Sequence, residues 1–165
     1  MRKVLSIAIL ATMLLIMVTG ACKKEDETDT EKPKIDLNAV GVFPVNCDTI
    51  YFGETFNFQF VFTDNEELGS FSIDIHNNFD HHSHSTEVTV CDPDPDKDPV
   101  NPYTFIDDFD IPAGINNYIT DLPIEIPASN GVGPYDEGDY HFFISLTDKE
   151  GWSTQKGLSV KMLYR

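Results

Sequence analysis

A chain of 165 residues with 28 acidic and 11 basic side chains carries a formal net charge of −17 at pH 7. That charge repels phosphate backbones, and no local stripe of Lys and Arg interrupts it, so nucleic acid is excluded as a partner. With 41% hydrophobic residues, among them twelve Phe and six Tyr, the chain has enough apolar surface for one core, which excludes disorder throughout.

Arg2 and Lys3 precede an apolar stretch from Val4 to Val18, interrupted by Ser6 and Thr12, and Thr19-Gly20-Ala21 leads into Cys22. The apolar stretch is shorter than the roughly 20 residues a membrane span needs, and small residues stand where a peptidase cuts, so residues 1–21 read as a lipoprotein signal peptide. Cys22 is then acylated and ties the mature chain to the outer membrane. Residues 22–33 follow as an acidic tether; Lys23 to Lys32 contains no apolar side chain, and we expect it to be solvated and flexible. A Cys followed by Lys and a short acidic run resembles the surface-export signal of Bacteroidota lipoproteins, which implies a domain facing outward from the cell. A spacer facing the periplasm is the alternative. Once Cys22 is lipidated, Cys47 and Cys91 are an even pair in an oxidising compartment, either joined in one disulfide or left as two thiols.

Residues 34–165 read as one all-β domain. Thr55 to Thr63 places Phe at every second position, so one face of that strand is aromatic and must be buried. After a polar turn over 64–69, Phe71, Ile73 and Ile75 point one way while Ser72, Asp74 and His76 point the other. Residues 91–134 carry eight prolines, which leaves room only for short edge strands such as 122–126 and makes this stretch a long Pro/Asp-rich insertion. From Gly138 to Asp148 the alternation returns, with Tyr140, Phe142, Ile144 and Leu146 inward. A turn over 149–152 leads to a last strand with Leu158, Val160 and Met162 on one face. Short alternating strands without helical periodicity predict an antiparallel β-sandwich. Gly138-Asp139-Tyr140 before the penultimate strand resembles the last hairpin of immunoglobulin-like domains, in which Tyr140 would be the tyrosine-corner residue.

Four of the five histidines, His76, His81, His82 and His84, fall within nine residues. Neutral imidazole suits Zn, Cu or Ni, which need three or four converging donors. His82 and His84 point the same way if their loop is extended. His76 stands at the mouth of that loop. His76 and His141 share the outward parity of two strands that are expected to be neighbours, so His76, His82, His84 and His141 are the candidate transition-metal ligands. A solvated His-rich loop with no ion is the alternative. A second cluster, Asp92, Asp94, Asp96 and Asp98, has carboxylates at alternate positions, as calcium loops do. It lacks the Gly and the closing Glu of an EF-hand, and an acidic solvated loop is the simpler reading. No nucleophile elbow, phosphate loop or metalloprotease helix motif is present, so we expect no enzyme.

The segments Asp74-Ile75-His76-Asn77-Asn78-Phe79-Asp80-His81-His82-Ser83-His84, Gly138-Asp139-Tyr140-His141-Phe142 and Thr147-Asp148-Lys149-Glu150-Gly151-Trp152 resemble the Bacteroidota lipoproteins that share the domain of unknown function DUF4625. The resemblance covers roughly residues 33–165. It implies an immunoglobulin-like fold and a cell-envelope location, and no activity. Family members often carry Gly where this chain has His81, which makes His81 the weakest ligand candidate. Two functional readings follow: a transition-metal-binding surface domain, or a glycan- or protein-binding module of an outer-membrane assembly that uses Tyr103, Tyr135 and Trp152.

Overall fold

The computed structural model describes residues 28–87 and 89–165. The leader, Cys22 and the first part of the tether lie outside the described residues. Ten strands and no helix are found among those described: β1 (Lys34–Asp36), β2 (Thr49–Tyr51), β3 (Thr55–Phe58), β4 (Val61–Thr63), β5 (Leu68–Asn77), β6 (Phe105–Asp110), β7 (Asn117–Ile119), β8 (Leu122–Glu125), β9 (Gly138–Asp148) and β10 (Ser153–Leu163).

The longest strands are those whose alternation is cleanest. Leu68, Phe71, Ile73 and Ile75 of β5, Tyr140, Phe142, Ile144 and Leu146 of β9, and Leu158, Val160 and Met162 of β10 all point into the core. These strands form the centre of a five-stranded sheet ordered β2-β10-β9-β5-β6, antiparallel except where β2 lies parallel to β10. Its open edge, β6, carries Asp107, Asp108 and Asp110, charges that discourage pairing with another chain.

The facing layer is made of two short sheets, β1-β4-β7 and β3-β8. Residues 55–63, expected as a single strand, break at Gln59-Phe60. There the Phe60 N–H donates to the Thr120 hydroxyl (2.8 Å), which itself donates to the Phe58 carbonyl (2.9 Å). A side chain takes the place of a ladder partner, and both β3–β4 and β7–β8 are interrupted at this point. The aromatic face persists through the break: Phe58, Phe60 and Phe62 are fully buried, and Phe56 is half-buried. Phe58 stacks on Phe71 (5.7 Å between centroids) and on Phe142 (5.9 Å), joining the two layers of a β-sandwich.

Between β5 and β6, residues 78–87 and 89–104 form a long strap that passes over the outer face of the five-stranded sheet. Phe79 anchors its start by packing edge-on against Tyr140 (5.4 Å). Farther on, the Thr86 N–H donates to the Gly157 carbonyl (2.9 Å), and Asn46 Nδ2 donates to the Thr89 carbonyl (2.7 Å). Cys91 is bonded to Cys47, a disulfide that spans a sequence separation of 44. The strap then returns over β9, where the Asp94 N–H donates to Asp139 Oδ2 (2.7 Å), and ends with the Tyr103 N–H donating to the Tyr140 hydroxyl (3.1 Å). That hydroxyl donates to the carbonyl of Asp136 (2.6 Å), the upstream main-chain bond of a tyrosine corner. Burial pushes the Tyr140 phenol well above its usual value, and the Tyr103 phenol up to about 12.

The sequence does not predict β1 and β2; β6 and β7 are short strands of the Pro-rich stretch that it leaves unplaced, and β8 closes one residue earlier than the 122–126 segment. The end of the tether also differs. Asp29 and Pro33 are buried, because Asp29 Oδ1 accepts from Asn65 Nδ2 (2.9 Å) and Trp152 Nε1 donates to the Asp29 carbonyl (3.0 Å). The packed unit therefore already includes Asp29.

Candidate metal centre

Antiparallel register sets the foundation of the site. His76 of β5 stands directly opposite His141 of β9, and both point to the outer face of the sheet. On the far side of β9, His141 faces Ser159 of β10. The chain leaves β5 at Asn77 and turns, with the Asn78 N–H donating to the Asp139 carbonyl (2.8 Å). His81 adopts φ +52° in this turn, the left-handed conformation in which glycine is at ease. The strap then runs back over β9 and β10, carrying His82 and His84 above His76 and His141.

Room for that return comes from Gly157. A Cβ placed there would stand 2.0 Å from the His84 carbonyl oxygen, so only a glycine lets the strap lie this close to β10. Ser85 Oγ (3.3 Å) and the Thr86 N–H both donate to the Gly157 carbonyl, fixing the strap at this point.

Four imidazole rings meet here. Their centroids are separated by 5.8 Å (His76–His82), 5.5 Å (His76–His84), 5.4 Å (His76–His141), 4.8 Å (His82–His84), 5.0 Å (His82–His141) and 5.2 Å (His84–His141). Six nearly equal distances define a near-regular tetrahedron. Metal–nitrogen bonds of about 2.05 Å at the tetrahedral angle put donor nitrogens about 3.3 Å apart and, with ring centroids roughly 1.2 Å farther out, centroids about 5.3 Å apart. His84 Nδ1 lies 3.3 Å from His76 Nε2.

Three of the four rings have their orientation fixed by partners other than a neighbouring imidazole. Asp74, two residues before His76 on the same strand face, holds His76 Nδ1 (2.8 Å), which puts the lone pair of the neutral ring on Nε2, the nitrogen that faces His84. Asp80 holds His82 Nδ1 (2.5 Å) in the same way, and this bond to His82 is the main reason the Asp80 carboxyl sits below the usual carboxylate range. His141 Nε2 donates to the His82 carbonyl (2.9 Å), which assigns the ring to the tautomer whose Nδ1 lone pair is free. Carboxylate or carbonyl partners of this kind set the tautomer of metal-bound histidines.

The four rings are not equivalent. His76, His82 and His84 each offer a nitrogen within 4.8 Å of the others, and His141 falls outside that set. The His141 ring, 1% exposed, lies beneath them, and its Nδ1 is buried with no hydrogen-bond partner. Burial is the main cause that lowers its pKa, and the neighbouring imidazoles add to it, so the ring is kept neutral. A cleft of about 340 Å³, bounded by His81, His82, Asp139 and His141, opens beside the cluster.

The remaining sequence candidates lie elsewhere. His81 turns away, with Nδ1 on Asp96 (2.8 Å) and Nε2 3.4 Å from Asp139. Asp92, Asp94, Asp96 and Asp98 do not form one of the converging donor groups found among the described residues. Asp94 pairs with Lys161 (2.6 Å), Asp96 pairs with His81, and Asp92 and Asp98 face solvent. Nor do the aromatic candidates form a platform: Tyr103 is a core residue, and Tyr135 is stacked on Phe52 (5.7 Å). Asp74, Asp80 and Gly157 were missed by the sequence reading, although both carboxylates precede their histidine by two residues.

The family model described as a domain of unknown function, DUF4625, matches residues 20–163. The chain belongs to this family. DUF4625 carries no stated activity, so the matched span, which includes the strap, β9 and β10, brings all four clustered histidines into the family domain without assigning them a role. No curated protein matches the chain.

Proposed function

We propose that this DUF4625 chain is a non-enzymatic cell-envelope lipoprotein, anchored through Cys22, whose His76, His82, His84 and His141 bind a transition-metal ion. The observation that carries this reading is the tetrahedron of four imidazoles, with centroid spacings of 4.8–5.8 Å around the value that tetrahedral coordination requires. His76, His82 and His84 supply the three nitrogens that already converge. His141 is the fourth corner, and an ion at the centre would supply the partner that its orphaned Nδ1 lacks. A tetrahedral set of nitrogen ligands favours Zn²⁺ over the square-planar preference of Cu²⁺ and Ni²⁺. The strongly negative net charge raises the local concentration of cations near the domain.

Elemental analysis and thermal melting of the full-length chain in detergent, stripped with chelator and then given Zn²⁺, Cu²⁺ or Ni²⁺, test this. We expect one ion per chain and a rise of about 5–10 °C at a hundredfold excess over Kd. His76→Ala should abolish the rise. No stoichiometric metal and no shift with any of the three ions would sink the proposal.

A further inference from the structure

At the opposite end of β9, about 23 Å from His141 at roughly 3.3 Å per strand residue, three aspartates from distant parts of the chain converge. Asp29 comes from the end of the tether, Asp64 from the β4–β5 turn and Asp148 from the last position of β9. One carboxylate oxygen of each lies within 4.8 Å of the other two. Every Oδ1 is occupied. Asp29 Oδ1 accepts from the Glu31 N–H and Asn65 Nδ2 (both 2.9 Å), Asp64 Oδ1 from the Glu66 (3.0 Å) and Glu67 (3.1 Å) N–H groups, and Asp148 Oδ1 from the Trp152 N–H (2.8 Å). Every Oδ2 is buried and has no hydrogen-bond partner, although Asp148 is only 4% exposed and Asp29 only 8%.

Three buried, unsatisfied carboxylate oxygens are costly unless something positive lies among them. The neighbouring Lys149 does not serve, because it is turned to Glu67 (3.4 Å). Hard oxygen donors exclude the soft metals. Calcium accepts irregular sets of six to eight oxygens at 2.3–2.6 Å, whereas magnesium demands a near-ideal octahedron and keeps several of its waters. We propose that Asp29, Asp64 and Asp148 form a calcium site that clips the end of the tether onto the β4–β5 and β9–β10 turns. Calcium thereby sets the point at which the chain leaves the domain. This site is separate from the histidine cluster and does not depend on it.

Trp152 is the sole tryptophan, and it touches two of the three ligand residues, through its N–H to Asp148 and its Nε1 to the Asp29 carbonyl. Its fluorescence is therefore a local reporter. Titrating calcium into the chelator-stripped full-length chain in detergent should give a saturable change in Trp152 emission, with a Kd of about 0.1–1 mM as in extracellular calcium modules. Saturation should raise Tm by about 5–10 °C. Asp64→Asn and Asp148→Asn should remove both responses, while His76→Ala keeps them. In chelator, Asp64→Asn should melt at or above the wild-type temperature, because it removes one of three repelling charges; it serves as the folded control if Asp148→Asn does not fold. No fluorescence change and no shift in millimolar calcium would overturn the proposal. So would a shift that persists in Asp64→Asn, which would put the ion on another carboxylate group, or a response that magnesium reproduces at the same concentration, which would reduce it to charge screening.

Discussion

Gly157 lies directly beneath His84: the strap's carbonyl at 84 occupies the space in which any side chain at 157 would begin, 2.0 Å from an ideal Cβ. Gly157 sits in the middle of β10, opposite Phe143, where a glycine weakens a strand and brings no packing of its own. Its position therefore serves the loop above it. We expect Gly157→Ala to lift the strap, costing about 1–3 kcal/mol of stability as overpacked sites do, and to weaken Zn²⁺ binding at least tenfold by displacing His84. Calorimetric titration with Zn²⁺ alongside a denaturant melt measures both. Wild-type affinity in the alanine variant would show that His84 does not need this contact.

His76 and His81 are five residues apart but have opposite expected effects. His76 is within the tetrahedron, while His81 spends both ring nitrogens on Asp96 and Asp139 and holds φ +52°. A non-glycine residue in that conformation is disfavoured by about 1 kcal/mol, and exposed ion pairs return little of it. His81→Gly should thus raise stability by a few tenths of a kcal/mol to about 1 kcal/mol and leave the Zn²⁺-induced shift in Tm intact. Melting curves of both variants, with and without Zn²⁺, settle the contrast; loss of the Zn²⁺ shift in His81→Gly would contradict the ligand assignment.

Period-2 alternation made β5, β9 and β10 legible because each buries one face and exposes the other, and parity alone put His76 and His141 on the same outer surface. Strands without that contrast were not legible. β6 reads Phe-Ile-Asp-Asp-Phe-Asp and is an edge strand with most residues exposed, so its stability comes from pairing with β5 rather than from its own pattern. The three-residue strands β1, β2 and β7 are too short to show a period. The break at Gln59-Phe60 depends on Thr120, sixty positions away. The Asp29, Asp64 and Asp148 cluster was invisible for a related reason: in a chain with 28 acidic residues, three aspartates so far apart carry no signal until the fold brings them together.

Acidification should act on the histidine cluster in a defined direction. Burial first of all lowers the His141 pKa below its ordinary 6.5 in the folded state. The unfolded chain therefore binds the proton more readily, and stability rises with pH across the interval between the depressed value and about 6.5. The contribution is complete above pH 6.5 and is lost as pH falls from there toward the folded-state value. Metal binding weakens over the same interval, since only neutral imidazole ligates. Melting of the metal-free chain from pH 8 to pH 5 should show a fall in Tm below about 6.5 that is reduced in His141→Asn. The Zn²⁺ increment should vanish near pH 5. An identical pH profile in wild type and His141→Asn would remove His141 as its source.

The disulfide ties the middle of the strap to the segment before β2, beyond the histidines and on the β10 side of the sheet. Without it the strap would be held at this point by the Asn46–Thr89 bond and the contacts at Gly157. In the chain-entropy description, closing a loop of this length restrains the unfolded state by about 4 kcal/mol. The same restraint keeps His82 and His84 near their partners before any ion arrives, so part of the ordering cost of binding is met in advance. Replacing Cys47 and Cys91 together with Ser should lower stability by about 2–4 kcal/mol and weaken Zn²⁺ binding about tenfold, while calcium-dependent Trp152 fluorescence, at the other end of β9, is unchanged. Parallel titrations of the double variant with the two ions separate these effects. An unaltered Zn²⁺ affinity would mean that the β10 contacts alone organise the strap.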